Sequence, residues 1–299
     1  MRQTVLLYSE EDVYVTFSSL SSVYKYTNNG SLIAIWTNIH SPTHRDGFIN
    51  VSLETPTDIA VDENRDVYIL DLSKLGVQKF NSNGTLLTRW AVDYSTDDET
   101  RRQQHSIAVD KEGNVYEIGP GDAIQKFSSN GTLITRLGKP VSHGIKNNEF
   151  LLPSGLAVDE QDNVYIGDIG TFRIQKYSSN GTFITGWKTY SDDINEAVMQ
   201  AIPQSMHLAV DHVCNIFVAD GGWCAQGITL RNSSIQKFSS NGTLLTGFTK
   251  YNKDNDKAFF PTGIDVDKQD NVYVSSTNPD LPVVKVSNNG TFIAGFSKR

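Results

Sequence analysis

The chain has 299 residues, a formal net charge of -8, two cysteines and 38% hydrophobic residues, with a pI near 5.2. That acidity disfavours a nucleic-acid partner, because phosphate backbones are held by clusters of Lys and Arg. No apolar run is long enough to span a bilayer, and Met1-Arg2-Gln3 leads straight into a strand-like run. Neither a signal peptide nor a membrane segment is therefore expected; the chain reads as soluble and the compartment stays open.

Taken in order, one pattern recurs six times, over residues 3–36, 57–90, 105–137, 154–187, 206–248 and 262–297. The fourth copy is the fullest. Leu156-Ala157-Val158 is a short β-type run closed by Asp159, whose carboxylate can bond its own backbone, and Asn163-Val164-Tyr165-Ile166 starts the return strand. Ile174-Gln175-Lys176-Tyr177 forms a third run, and Asn180-Gly181 supplies the positive φ of a tight hairpin before Thr182-Phe183-Ile184. The first copy departs most, because it lacks the Pro, the Gly and the turn Asp of the others.

Repeats of about 40 to 50 residues with four strands each predict an all-β chain, a six-bladed β-propeller of four-stranded antiparallel blades. No blade can bury both its faces alone, so residues 1–299 are expected to form a single, monomeric domain. Both end copies possess four strands of their own and leave none to exchange. Either the ring closes by packing alone or the chain lacks a terminal segment.

The residues P-x-G-[IL]-A-V-D, N-V-Y-[IV], R-I-Q-K-[FY] and N-G resemble the NHL repeat over nearly the whole chain, with Pro153, Gly155, Asp168 and Arg173 carrying the fullest match. The resemblance implies the ring and leaves activity open. Similar six-bladed rings include RNA-binding domains of tripartite-motif proteins, sensor domains of bacterial receptor kinases and the metal-dependent lyase of peptide amidation.

In such a meander the first-to-second and third-to-fourth turns share one face, whereas the second-to-third loops and blade connections share the other. The first face repeats itself. All the variation lies on the second, in Thr37 to Pro56, Ala91 to Gln104, Gly138 to Pro153, Lys188 to Ser205, Asp220 to Ser234 and Thr249 to Pro261. Variable loops on a rigid frame are where binding resides. Tyr190, Trp223 and Phe259-Phe260 are the aromatic candidates there, with packing beneath their own loops as the plainer reading for the Phe pair. Ser191-Asp192-Asp193 before Ile194, Val198 and Ala201, ended by Pro203, predicts a short helix.

No nucleophile elbow, phosphate-binding loop or H-E-x-x-H occurs. The resemblance to the amidation lyase implies one remaining catalytic route, a metal over the central channel held from the starts of the first strands. That column reads Thr4, Asp58, Ser106, Gly155, His207 and Gly263, with His105 one step outside it. Asp58, His105 and His207 are the only zinc or calcium ligands it offers, where a catalytic zinc wants about three. Asp254-Asn255-Asp256 lacks the glycine and distal glutamate of a calcium loop. The favoured reading is a non-catalytic scaffold without cofactor that binds a protein or small ligand, with Asp58, His105, His207, Tyr190 and Trp223 as candidate contacts. A metal-dependent lyase- or lactonase-like enzyme is the alternative.

Three further features read as framework. The Lys25, Lys79, Lys126, Lys176, Lys237 and Lys285 column is expected to lay its stems along the blades with ammonium groups in water. Cys214 and Cys224 fall at opposite ends of a strand, about 16 Å apart, beyond the roughly 7 Å a disulfide allows. Asn29, Asn83, Asn130, Asn180, Asn241 and Asn289 each begin a formal glycosylation tripeptide, for which the hairpin turn is a sufficient reason.

Overall fold

Alternating apolar residues between Asp-x-x-x-Asn and Ser-Asn-Gly turns leave each repeat one way to fold, as an antiparallel meander with both faces to bury. The computed structural model describes residues 3–9, 12–38, 48–73, 76–92, 105–118, 124–138, 144, 146–189, 206–221, 223–225, 228–231, 234–248, 261–276 and 282–296, without the side chains of 3–9, 223–225 and 228–231. Tyr190, residues 191–203, Phe259-Phe260 and the 254–256 stretch lie outside the described residues, as do the side chains of Trp223 and Cys224.

Blade one comprises β1 (Gln3–Ser9), β2 (Asp12–Phe17), β3 (Ser22–Thr27) and β4 (Leu32–Thr37), with an added β5 (Phe48–Asn50). Blade two is β6 (Pro56–Val61), β7 (Val67–Asp71), β8 (Gly76–Phe80) and β9 (Leu86–Ala91). The third holds β10 (Ile107–Val109), β11 (Val115–Ile118), β12 (Ile124–Phe127) and β13 (Leu133–Leu137), and the fourth β14 (Pro153–Val158), β15 (Val164–Asp168), β16 (Arg173–Tyr177) and β17 (Phe183–Lys188). Blade five has β18 (Met206–Val210) and β19 (Ile216–Asp220), an inserted hairpin of β20 (Trp223–Ala225) and β21 (Ile228–Arg231), then β22 (Ser234–Phe238) and β23 (Leu244–Phe248). Blade six is β24 (Pro261–Val266), β25 (Val272–Ser276), β26 (Val283–Val286) and β27 (Phe292–Phe296). The chain is an all-β, six-bladed propeller whose blades are four-stranded antiparallel meanders in sequence order, with β5 added parallel to β4 in blade one. Among the described residues no helix is long and apolar enough to cross a membrane.

The core lies between blades. Second strands such as β7, β15, β19 and β25 are buried on both faces, and each apolar cluster draws on two neighbouring blades. Ala60, Tyr68 and Val77 of blade two pack on Ile107, Val115 and Phe127 of blade three, for example. Two expectations need correction. The Lys column does not reach water: Lys176 Nζ sits 3.5 Å from the Asp159 carboxylate and 4.8 Å from the centre of the Tyr165 ring, and the Lys79 side chain is only 12% exposed. A buried ammonium requires such partners. In the third-to-fourth turns, positive φ falls on the glycine alone, as at Gly181 (φ 87°), and the register shifts between Lys176 and Tyr177. The turn is thus a bulged loop of the kind in which a left-handed Gly follows a type I turn, and Asn180 stays right-handed.

Those glycines also seat the next contact. A Cβ on Gly131 would lie 2.5 Å from the Trp90 ring and one on Gly242 2.5 Å from Trp187, so the last aromatic of an outer strand packs on the following blade's turn, with Leu137 of blade three taking that place against Gly181. The same contact closes the ring. Phe296 of blade six faces Gly30 of blade one, is fully buried, and packs with Val13, Val15, Phe17, Tyr26 and Tyr273. Blades six and one meet by side-chain packing, and among the described residues no strand is exchanged between them. Phe296→Ala should therefore cost about 3–5 kcal/mol in denaturant unfolding; a loss below about 1 kcal/mol would place closure elsewhere.

Candidate functional site

The first strands surround a channel of about 160 Å³, lined by residues of blades two to six that include Asp58, Ser106, His207, Gly263 and Asp265. Position in the repeat places them there, because the channel runs along the first strands from the ends where the blade connections enter. Asp58, Ser106, His207 and Gly263 stand near those ends and line it.

Hydrogen bonds tie several of these positions to the next blade. Asp58 Oδ1 accepts from the Ile59 amide at 2.9 Å, and Oδ2 accepts from the Ile107 amide of blade three at 2.9 Å. Burial pushes the Asp58 carboxyl up to about 7, against the opposing pull of the Ile107 amide, the Ser106 hydroxyl and the Ile59 amide. Ser106 Oγ accepts from the Leu156 amide of blade four at 3.3 Å. Ser154 Oγ donates to the Met206 carbonyl of blade five at 3.1 Å. At Gly155 a Cβ would lie 2.4 Å from that same carbonyl, so glycine there is a condition of blade contact. Much of the column read as possible metal ligands is an inter-blade collar.

Asp58 and His207 face the same channel, whereas His105 is half-buried one residue before Ser106 and does not line it. Among the described residues no three His, Cys, Asp or Glu side chains stand close enough to share a metal ion. The structure also adds Asp265, absent from the sequence-based candidates. It lines the channel, with Oδ1 accepting from the Val266 amide at 2.8 Å. The signal was available: the other later blades carry Ala60, Ala108, Ala157 and Ala209 at this position.

Outside the collar, repeat residues hold the blade connections. Asp71 accepts from the Glu54 and Thr55 amides at 2.9 and 3.0 Å, and Asp168 accepts from Leu151 and Leu152 at 2.9 Å each. Gln78 and Gln175 donate to the Ser52 and Glu149 carbonyls at 3.0 and 2.7 Å. The connections entering blades two and four are therefore anchored by residues of the second and third strands.

No protein-family profile matches the chain, and no curated protein matches it in sequence. Among solved structures 813 chains match, which marks a widely used fold and not an activity. A protein of unknown function from Bacteroides caccae is 10% identical with a TM-score of 0.63, covering 96% of this chain and 94% of that one. Virginiamycin B lyase from Staphylococcus aureus is 14% identical with a TM-score of 0.56, over 92% and 76% of the two chains. A gluconolactonase from Xanthomonas campestris is 13% identical with a TM-score of 0.57, over 92% and 83%. At these identities the likeness is one of fold.

The raised carboxyl makes a pH test. Since Asp58 is held above its unfolded value, its stabilising contribution is complete in acid and is lost as pH rises through about 7. Relative to Asp58→Asn, which does not titrate, the wild type should lose about 2 kcal/mol of unfolding free energy between about pH 5.5 and pH 8. Parallel pH dependences of the two proteins in denaturant titrations would refute the assignment.

Proposed function

We propose that this chain is a non-catalytic binding scaffold that holds a protein or small-molecule ligand on the face bearing the blade connections. The observation that carries this reading is the commitment of Asp58. Both of its oxygens accept backbone amides, one of them from the next blade, so the carboxylate best placed for chemistry at the channel mouth acts as a structural clamp. Support also comes from the face itself. Its segments vary in sequence, yet they leave the blades at points fixed by Asp71, Asp168, Gln78 and Gln175. A rigid frame with variable loops is the arrangement binding proteins use. Its partner is expected to lack a phosphate backbone, given the net charge of -8.

A second reading, a lyase- or lactonase-like enzyme with zinc or calcium over the channel, is favoured by one observation: Asp58, His207 and Asp265 all face the same cavity. Elemental analysis after exhaustive dialysis separates the two. Under the scaffold reading, wild type and His207→Ala both hold metal far below one equivalent, and neither eliminates from nor hydrolyses cyclic esters above background. Near-stoichiometric metal in the wild type, lost in His207→Ala together with such activity, would overturn it.

A further inference from the structure

Every third-to-fourth turn carries a feature that turn geometry does not require. The bulged loop needs the glycine and is served by the residue before it, but the hydroxyl two positions after each asparagine is no part of that demand. It is nevertheless present in all six, as Ser31, Thr85, Thr132, Thr182, Thr243 and Thr291. Where its hydroxyl is bonded, it donates to the asparagine's own side-chain oxygen: Thr132 to Asn130 at 3.1 Å, Thr243 to Asn241 at 3.1 Å and Thr291 to Asn289 at 3.0 Å. The turn serine adds a second donor to the same atom, as Ser178 does to Asn180 at 2.6 Å. The carbonyl end of the amide is thus held in the turn at Asn29, Asn130, Asn180, Asn241 and Asn289. All six asparagines are solvent-exposed.

A second, independent observation adjoins each acceptor. The residues that follow the tripeptides on the outer strands are large and apolar, yet they stand in water: Leu86, Leu133, Ile134, Leu244, Leu245 and Phe292 are between 42% and 57% exposed. Ile33, Leu87, Ile184 and Ile293 lie in the same range. Outer strands with exposed apolar side chains are an association hazard unless something covers them.

The geometry points to these six turns as acceptor sites for N-linked glycans that shield the apolar rim of the ring. In the transfer the asparagine Nδ2 bonds to the anomeric carbon of a lipid-linked oligosaccharide pyrophosphate. The bond from that carbon to the phosphate oxygen breaks, the lipid pyrophosphate leaves, and the amide gives up one proton. No oxidant or reductant is involved. The glycans would project from the turns over the start of each fourth strand, on the face opposite the variable connections, so binding there is left unobstructed.

The test directs the chain through the secretory pathway of eukaryotic cells and measures intact mass in cells and medium together. Treatment with peptide N-glycosidase in heavy-oxygen water should remove the added mass and mark Asn29, Asn83, Asn130, Asn180, Asn241 and Asn289 as aspartate at most of the six turns. A companion protein with S31A, T85A, T132A, T182A, T243A and T291A should lose the added mass and keep its melting temperature within a few degrees. Like the enzymatically stripped protein, it should shift toward larger species in size-exclusion chromatography. The bare chain mass in wild type would overturn the inference. So would unglycosylated wild type with a steep fall in melting temperature for the companion, which would assign the hydroxyls to turn stability.

Discussion

The structure depends on a buried carboxylate repeated around the ring. At the end of the first strand of blade four, Asp159 Oδ1 accepts the turn amides of Gln161 and Asn163 at 2.9 and 2.8 Å. Its other oxygen takes the Tyr165 hydroxyl at 2.9 Å and faces the Lys176 ammonium. One side chain thereby ties the first turn, the second strand and the third strand. Such a charge is tolerable inside a protein only because every lone pair is used. Burial alone would push the equivalent Lys79 down, but its bonds to Tyr68 and Asp66 outweigh that and hold it above its ordinary range. Blade one reaches the same end differently, with Asp12 at the start of β2 pairing Lys25 at 2.8 Å.

The carboxylate cluster also joins blade to blade. Lys25 donates to the Ser82 carbonyl at 3.1 Å and Lys126 to Ser179 at 3.2 Å, both in the following blade. The ring thus has three concentric ties: the collar of Asp58 and Ser106 at the channel, the Asp-Tyr-Lys clusters in the middle, and the aromatic-on-glycine contacts such as Trp90 on Gly131 outside. The middle and outer ties are specified by residues of the repeat, whereas the collar draws on a column that differs between blades. The connections between blades contribute buried residues such as Leu53, Val92 and Phe150 and differ in the rest of their sequence.

Most of the fold was legible in the sequence because its determinants are local. Alternation over Asn163 to Ile166 and the Asp159 and Gly181 turns each act within a few residues, so the strands and blade limits follow directly. What was not legible arises where residues distant in sequence meet, within a blade or between blades, because such contacts leave no mark at short range. Lys176 in isolation is a long side chain free to reach water, and only the approach of Asp159 and Tyr165 buries it. Asp58 in isolation is a candidate ligand, and only the Ile107 amide, forty-nine residues on, turns it into a clamp. Asp265 is the exception, since its departure from the alanines of the other blades was visible on inspection.

The two faces of the ring therefore carry different kinds of information. On the turn face, six near-identical tripeptides stand at equivalent positions, so whatever acts there must act repeatedly and without distinguishing one blade from another. On the connection face no two blades agree, and a ligand placed over the channel would meet a different surface from each side. Specific recognition needs that asymmetry, because a partner is chosen by the difference between its fit and that of a competitor. A repeated surface offers no such difference. The physical case for binding on the connection face is thus the complement of the case for modification on the other: one face is variable where the frame permits, and the other is uniform where the frame does not require it.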